Sequence, residues 1–204
     1  ASAIAEYFRE QGRDVLLMMD SLTRFAMAQR EVGLAAGEPP TTKGYTPSVF
    51  KLLPRLIERA GTWQNAGAIT GLYTVLVEGD DMNEPIADAA RSVLDGHIVL
   101  SRELANMNQY PAIDLLQSIS RIMKDVVSPQ HLSTVERALE IMSTYKRYED
   151  VITIGAYKEG SNPRVDFAIR MMDRLRAFIR QPIDERVSFD ESLKQLMAIL
   201  GVVS

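Results

Sequence analysis

The stretch DVLLMMDSLTRFAMAQRE, Asp14 to Glu31, decides how this sequence is read. Val15 to Met19 form an apolar run too short for a stable helix and suited to a strand buried on both faces. The run ends on a carboxylate, Asp20, after which Leu22, Phe25, Ala26 and Gln29 recur at helical spacing. A strand that passes at once into a helix begins an α/β unit, and in an open parallel sheet ligands gather at the carboxyl ends of the strands. An Asp at this point has two readings of equal weight. It caps the helix that follows, or it faces a ligand, as in magnesium-nucleotide and receiver-type phosphorylation sites.

Upstream, Ile4, Tyr7 and Phe8 share one helical face and Gly12 can end that helix. Downstream, GEPPTTKGYTP, Gly37 to Pro47, has the composition of a functional loop. From Ser48, the positions Val49, Leu52, Leu53, Leu56 and Ile57 predict an amphipathic helix ending near Gly61, with a kink or early stop at Pro54. AITGLYTVLVEG, Ala68 to Gly79, reads as a second central strand, and the acidic loop DDMNEP follows it. Ile86 to Leu94 reads as a short helix, His97 to Leu100 as a third strand, and Tyr110 to Met123 as a mixed segment containing the peptide SISR. This alternation predicts βαβ units and a parallel sheet. From Pro129 the pattern changes to three helical segments separated by Gly/Asn/Pro or Pro/Asp punctuation, which places a boundary near Lys124.

Composition narrows the chemistry. The 204 residues, 46% hydrophobic and 25% charged, suffice for one good core and a satellite domain. No apolar run approaches the roughly 20 residues that span a bilayer, and a soluble, cytoplasmic protein is expected. The absence of Cys excludes disulfides and thiolate metal sites, and the two isolated histidines, His97 and His131, do not make a cluster, so any metal would be a hard ion on oxygen. A net charge of −4 argues against a general nucleic-acid footprint. The chain opens on Ala1 in mid-helix pattern without an initiator Met, as a fragment would. Taken singly, Arg121 reads as a surface salt-bridge former, Tyr110 as a rim or core aromatic, and the Met18–Met19 and Met171–Met172 pairs as core filling. No glycine-rich phosphate loop of the GxxxxGK[ST] kind occurs in the sequence.

Three blocks, the run from Asp14 through Gly61, then VLVEGDDMNEPIADAARSVLDGHIVLSREL, then YPAIDLLQSISRIM, resemble the C-terminal half of the ATPases of flagellar and virulence type III protein export, relatives of the rotary ATP synthase subunits. The resemblance runs over essentially the whole chain, and the tail VITIGAYKEGSNPRVDFAI leans toward the flagellar branch. It implies an α/β fold: residues 1–124 as the C-terminal part of a RecA-like nucleotide-binding domain, without its phosphate loop, and residues 125–204 as an all-helical domain. By motif, Asp20 is similar to the Walker B acid that orients Mg²⁺ through its water shell, with Ser21 and Arg24 following in the family pattern. Arg121 in SISR matches the arginine finger acting in trans, and Tyr110 in YPAID matches the aromatic that stacks on adenine.

The resemblance further implies ATP and Mg²⁺ as ligands of a homohexameric ring at the inner face of the cell membrane. Its partners would be the export apparatus, regulator and stalk proteins, chaperones and substrates, with peripheral membrane association through the export gate and no nucleic acid. Because the phosphate loop and catalytic glutamate lie upstream in the family, this stretch alone is expected to be inactive. Two alternatives stand beside this reading: a rotary or vacuolar-type ATPase subunit, and a non-catalytic helical interaction module.

Overall fold

A computed structural model describes residues 1–202. The chain divides into two compact units, the first from Ala1 to Asp95 and the second from Gly96 onward. In the first, helix α1 (Ser2–Glu10) precedes strand β1 (Val15–Met19), helix α2 (Leu22–Ala35), helix α3 (Pro47–Ile57), the short β2 (Gly61–Thr62), β3 (Ala68–Tyr73) and helix α4 (Pro85–Val93). Strand order is β1-β3-β2; β1 runs parallel to β3 with Met19 opposite Tyr73, and β2 is antiparallel to β3. The parallel pair is the expected α/β signature.

The core of this unit lies between the sheet and α2 to α4. Leu22 and Ala26 of α2, Val49, Leu53 and Ile57 of α3, and Ile86 and Ala90 of α4 are buried together, with Met19 and Tyr73 packed against them. Two glycines are required by close approach. A methyl at Gly33 would collide with Thr46, and one at Gly71 would meet the Tyr73 ring.

Several sequence expectations are corrected here. β1 is not buried on both faces in this chain: among the described residues it pairs with β3 alone, and Leu16 (58% exposed) and Met18 (71%) share an open face with Leu72 of β3. Apolar composition alone cannot show how far a strand is covered. The face of α1 that turns inward is Ala5 and Arg9, whereas Ile4 and Tyr7 point outward. Arg9 is held there by donating to the Arg59 carbonyl and by lying over the Trp63 ring, while Arg59 grips Glu6 through two hydrogen bonds of 2.6 and 2.7 Å. That grip is the main cause holding the Glu6 carboxyl below its usual range. Pro54 does not interrupt α3, which continues to Ile57.

The third predicted strand, β4 (Gly96–Leu100), does not join the parallel sheet. It pairs antiparallel with β5 (Ile113–Ser120), across the short helix α5 (Arg102–Asn106), in the second unit. β5 bulges between its two paired stretches, because Asp114 folds the chain back: its Oδ1 accepts from the Leu116 and Gln117 amides, and its carbonyl accepts from the Ser118 hydroxyl. After the short α6 (Met123–Val126) come α7 (Pro129–Thr153), α8 (Pro163–Ile179) and α9 (Phe189–Leu200). Each of these three long helices starts at a side-chain cap, Ser128, Asn162 and Ser188. They bury Ala138, Ile141, Ala168, Met171, Leu175, Leu196 and Leu200 against one another. The turn before α8 is clasped by buried Asp166, which accepts from the Tyr157 hydroxyl at 2.8 Å and the Gly160 amide at 3.1 Å.

Core and open face of the first unit should respond very differently to truncation. Leu53→Ala, at a fully buried site, should cost about 2–5 kcal/mol in urea unfolding, and Leu16→Ala, on the open face, less than about 1 kcal/mol.

Candidate functional site

The carboxyl ends of β1 and β3 are stitched together beyond their last paired residues. The Thr74 amide donates to the Met19 carbonyl at 3.0 Å, and the Leu22 amide donates to the Thr74 carbonyl at 2.9 Å. One step further, the Thr23 hydroxyl donates to the Leu76 carbonyl at 3.3 Å and accepts from the Leu76 amide at 2.9 Å. These bonds occupy the groups that a regular ladder would use, so β3 ends at Tyr73 although the apolar pattern continues through Val77.

Asp20 stands at this junction. The helix cap is its neighbour: Ser21 sits in extended conformation and its Oγ accepts the Arg24 amide at 3.2 Å. Adjacent residues cannot both fill the cap position, so the carboxylate of Asp20 is released from that work. It is exposed, and its Oδ1 accepts a 2.8 Å hydrogen bond from the Thr74 hydroxyl. The DSLTR block thereby separates into physical parts. Asp20 presents a carboxylate, Ser21 starts the helix, fully buried Leu22 anchors it in the core, Thr23 clasps the neighbouring segment, and Arg24 is exposed.

The acidic loop after β3 is more structural than its composition indicated. Glu84 is buried and its Oε2 accepts from the Ile86 and Ala87 amides, capping α4. Asp81 accepts from the Asn83 amide and pairs with Lys43 of the Gly37–Pro47 loop at 3.4 Å. In the same loop burial pushes the Tyr45 phenol above its usual pKa, the negative charge of Glu84 adds to the rise, and Arg30, 5.9 Å from the ring, opposes it. The two loops at the carboxyl end of this sheet are therefore tied to each other.

In the second unit, Tyr110 is 52% exposed; its peptide bond to Pro111 is cis, and its carbonyl accepts from the Gln181 amide. Arg121 is exposed and directly follows β5. Tyr110 and Arg121 stand at opposite ends of the β4–β5 ladder, which pairs Leu100 with Ile113 and Gly96 with Ser120. Four residue steps at ~3.3 Å put ~13 Å of strand between those ends. The geometry within this unit does not bring the two residues together.

Sequence reasoning missed Thr74 and Thr23. Nothing local marks a hydroxyl that works across more than fifty residues of chain.

As to cations, no group of three or more His, Cys, Asp or Glu able to hold a metal occurs among the described residues. The donor set at Asp20 is one exposed carboxylate with one oxygen engaged by Thr74. Such a set fits an ion like Mg²⁺, which keeps most of its waters and takes one or two carboxylates plus phosphate oxygens.

Comparison with known proteins gives a consistent result. The ATP synthase alpha/beta family, nucleotide-binding domain, matches residues 1–120, and the T3SS EscN ATPase C-terminal domain matches residues 127–198. The chain is 57% identical over 201 residues to a flagellum-specific ATP synthase of Bacillus subtilis, covering 98% of this chain and 46% of that protein. The assembled ATPase EscN of the enteropathogenic E. coli type III secretion system is similar with a TM-score of 0.93 and 48% identity, over 98% of this chain and 48% of that one. EscN in complex with its central stalk EscO is similar with a TM-score of 0.86 and 46% identity, over 98% of this chain and 47% of that one. The chain thus spans about half the length of the relatives it matches.

Since Ser21 and not Asp20 caps α2, Ser21→Ala should lower stability by about 0.5–2 kcal/mol, and Asp20→Ala should cost clearly less in the same thermal melts.

Proposed function

The chain belongs to the ATP synthase alpha/beta family, and from that premise we propose that the whole protein is an export ATPase of the flagellar type, hydrolysing ATP with Mg²⁺ to drive type III protein export. The observation that carries the proposal is the Asp20 carboxylate, exposed at the carboxyl end of a strand in a parallel pair and relieved of capping by Ser21. In this reading residues 1–124 are the later part of a RecA-like nucleotide domain and residues 125–204 a helical domain. The two family matches, which meet between residues 120 and 127, support that division.

Phosphoryl transfer asks the protein for position and for charge, because negative charge spreads over the transferred group in the transition state. Mg²⁺, when bound, would neutralise part of the phosphate charge, and Asp20 would hold its water shell from the strand tip. Tyr110 offers an exposed ring face to adenine. Arg121 would supply a planar, permanently charged donor to the γ-phosphate, a contribution worth about 10³–10⁵ in rate when made in trans.

The family motif SISR assigns Arg121 in trans, so that the finger of one chain would reach the nucleotide of its neighbour. A ring of identical subunits, a homohexamer, satisfies this requirement. The solved EscN assembly and its complex with a stalk protein support a ring that engages a stalk, and the proposed partners extend to regulator, chaperones, substrates and export gate. No helix among the described residues is long and apolar enough to cross a membrane. We place the protein in the cytoplasm at the inner membrane face.

Two outcomes test this. In the whole protein, Arg121→Ala should depress turnover by a factor of about 10³ or more with little change in nucleotide affinity. Mixing that variant with one that keeps Arg121 and cannot hold the triphosphate should restore measurable ATPase activity, and demonstrably mixed rings that remain dead would exclude a trans role. Separately, the sequence contains no GxxxxGK[ST] loop to cradle the triphosphate, so calorimetry on the 204-residue chain should find no low-micromolar ATP binding.

A further inference from the structure

We propose that Thr74 is a positioning residue for Asp20: its hydroxyl fixes one carboxylate oxygen so that the other faces outward from the strand ends in a single orientation. The inference rests on the reading of Asp20 as the acid that orients the metal's waters, and it names a partner for that acid which no motif contains.

The geometry is specific. The Thr74 hydroxyl donates to Asp20 Oδ1 at 2.8 Å, a well-formed O–H···O hydrogen bond. The donor is itself fixed. On one side the Thr74 amide is bound to the Met19 carbonyl, and on the other its carbonyl receives the Leu22 amide, so the backbone flanking Asp20 holds Thr74 from both directions. Two residues further on, the Thr23–Leu76 clasp stops this segment from sliding along β1. Because Thr is branched at Cβ, its χ1 choices are few, and its hydroxyl is delivered to one place.

Oδ2 of Asp20 has no hydrogen-bond donor among the described residues, so it is the oxygen left to meet water. An unanchored, exposed Asp would rotate among its χ1 wells and spend only part of its time in the orientation a hydrated ion needs. Packing gives no competing reason for this residue type. Thr74 is exposed and lies outside the buried core, where Val would serve the backbone equally well.

Partners that orient the groups holding a metal typically change metal affinity or activity about 10–100-fold when removed. In the whole ATPase, Thr74→Val should raise the Mg²⁺ concentration for half-maximal rate by about 10-fold, with part of the turnover recovered at saturating Mg²⁺. Thr74→Ser, which keeps the donor, should restore the parent Mg²⁺ dependence.

A second measurement needs neither metal nor turnover. Three-bond Hα–Hβ couplings of Asp20 in the 204-residue chain should report one χ1 rotamer in the parent and in Thr74→Ser, and averaged rotamers in Thr74→Val. If Thr74→Val leaves both the couplings and the Mg²⁺ dependence unchanged, or lowers only the melting temperature, the positioning role is overturned. The reading of Asp20 then survives, provided Asp20→Asn remains inactive. Near-normal hydrolysis by Asp20→Asn would instead overturn the metal role of Asp20 and the role of Thr74 with it.

Discussion

The parallel pairing of β1 with β3, continued past its last residues by Thr74 and Leu76, is the constraint on which the first unit depends. A parallel pair can be joined only through a long crossover, and here that crossover carries α2 and α3, the helices that supply the core. The register is fixed at its far end by backbone bonds and by a threonine clasp, so the tip of β1 is held more firmly than by its ladder to β3 alone. A one-residue slip would reverse the faces of the strand, turning Met19 out of the core and Met18 into it.

From that fixed junction the charges sort themselves by role. Glu84 is buried because two backbone amides at the start of α4 satisfy it, which makes it part of the scaffold. Asp81 is tied to a turn and to Lys43, and an exposed ion pair of this kind contributes at most about 1 kcal/mol. Asp20 alone among these three has neither a backbone amide nor a cation paired with it among the described residues; it has a neutral hydroxyl. A neutral partner orients a carboxylate without cancelling its charge, whereas a lysine at the same distance would neutralise it. The distinction between scaffold acid and presented acid therefore lies in the partner, since all three residues come from loops at the same end of the sheet.

Much of this was legible in the sequence for identifiable reasons. The five-residue apolar run before Asp20 is β1, and capped, periodic segments with Pro or Ser at their starts are α7, α8 and α9. Other features were not, because they depend on partners distant in the chain. Apolar β1 gives no sign that Leu16 and Met18 lie on an open face, since hydrophobicity reports tolerance for burial and not its completion. His97 to Leu100 reads as a strand correctly, but its partner is an antiparallel segment whose pattern is broken by the Asp114 bulge, so the period-2 signal is lost where it would have shown the hairpin. Asp20 and Ser21 are both good helix caps by residue type, and only backbone conformation assigns the work to Ser21. The Thr74 hydroxyl was invisible for the same reason: 54 residues separate it from its acceptor.

The β4–β5 ladder imposes a last condition on any nucleotide chemistry. Tyr110 and Arg121 flank this ladder with ~13 Å of strand between its ends, so one compact ligand cannot meet both, whereas the two far ends of an extended nucleotide are separated on that same scale. Bringing them together would require unzipping the ladder, including the Asp114 bulge that is held by its own three hydrogen bonds. In the proposed ring, with Arg121 acting in trans, turnover at one site would depend on how the adjacent subunit presents Arg121, which sits one residue beyond the strand. A partner that shifts β5 in one subunit of such a ring would then change catalysis in the next, so coupling between the proposed sites would need no dedicated relay beyond the strand itself.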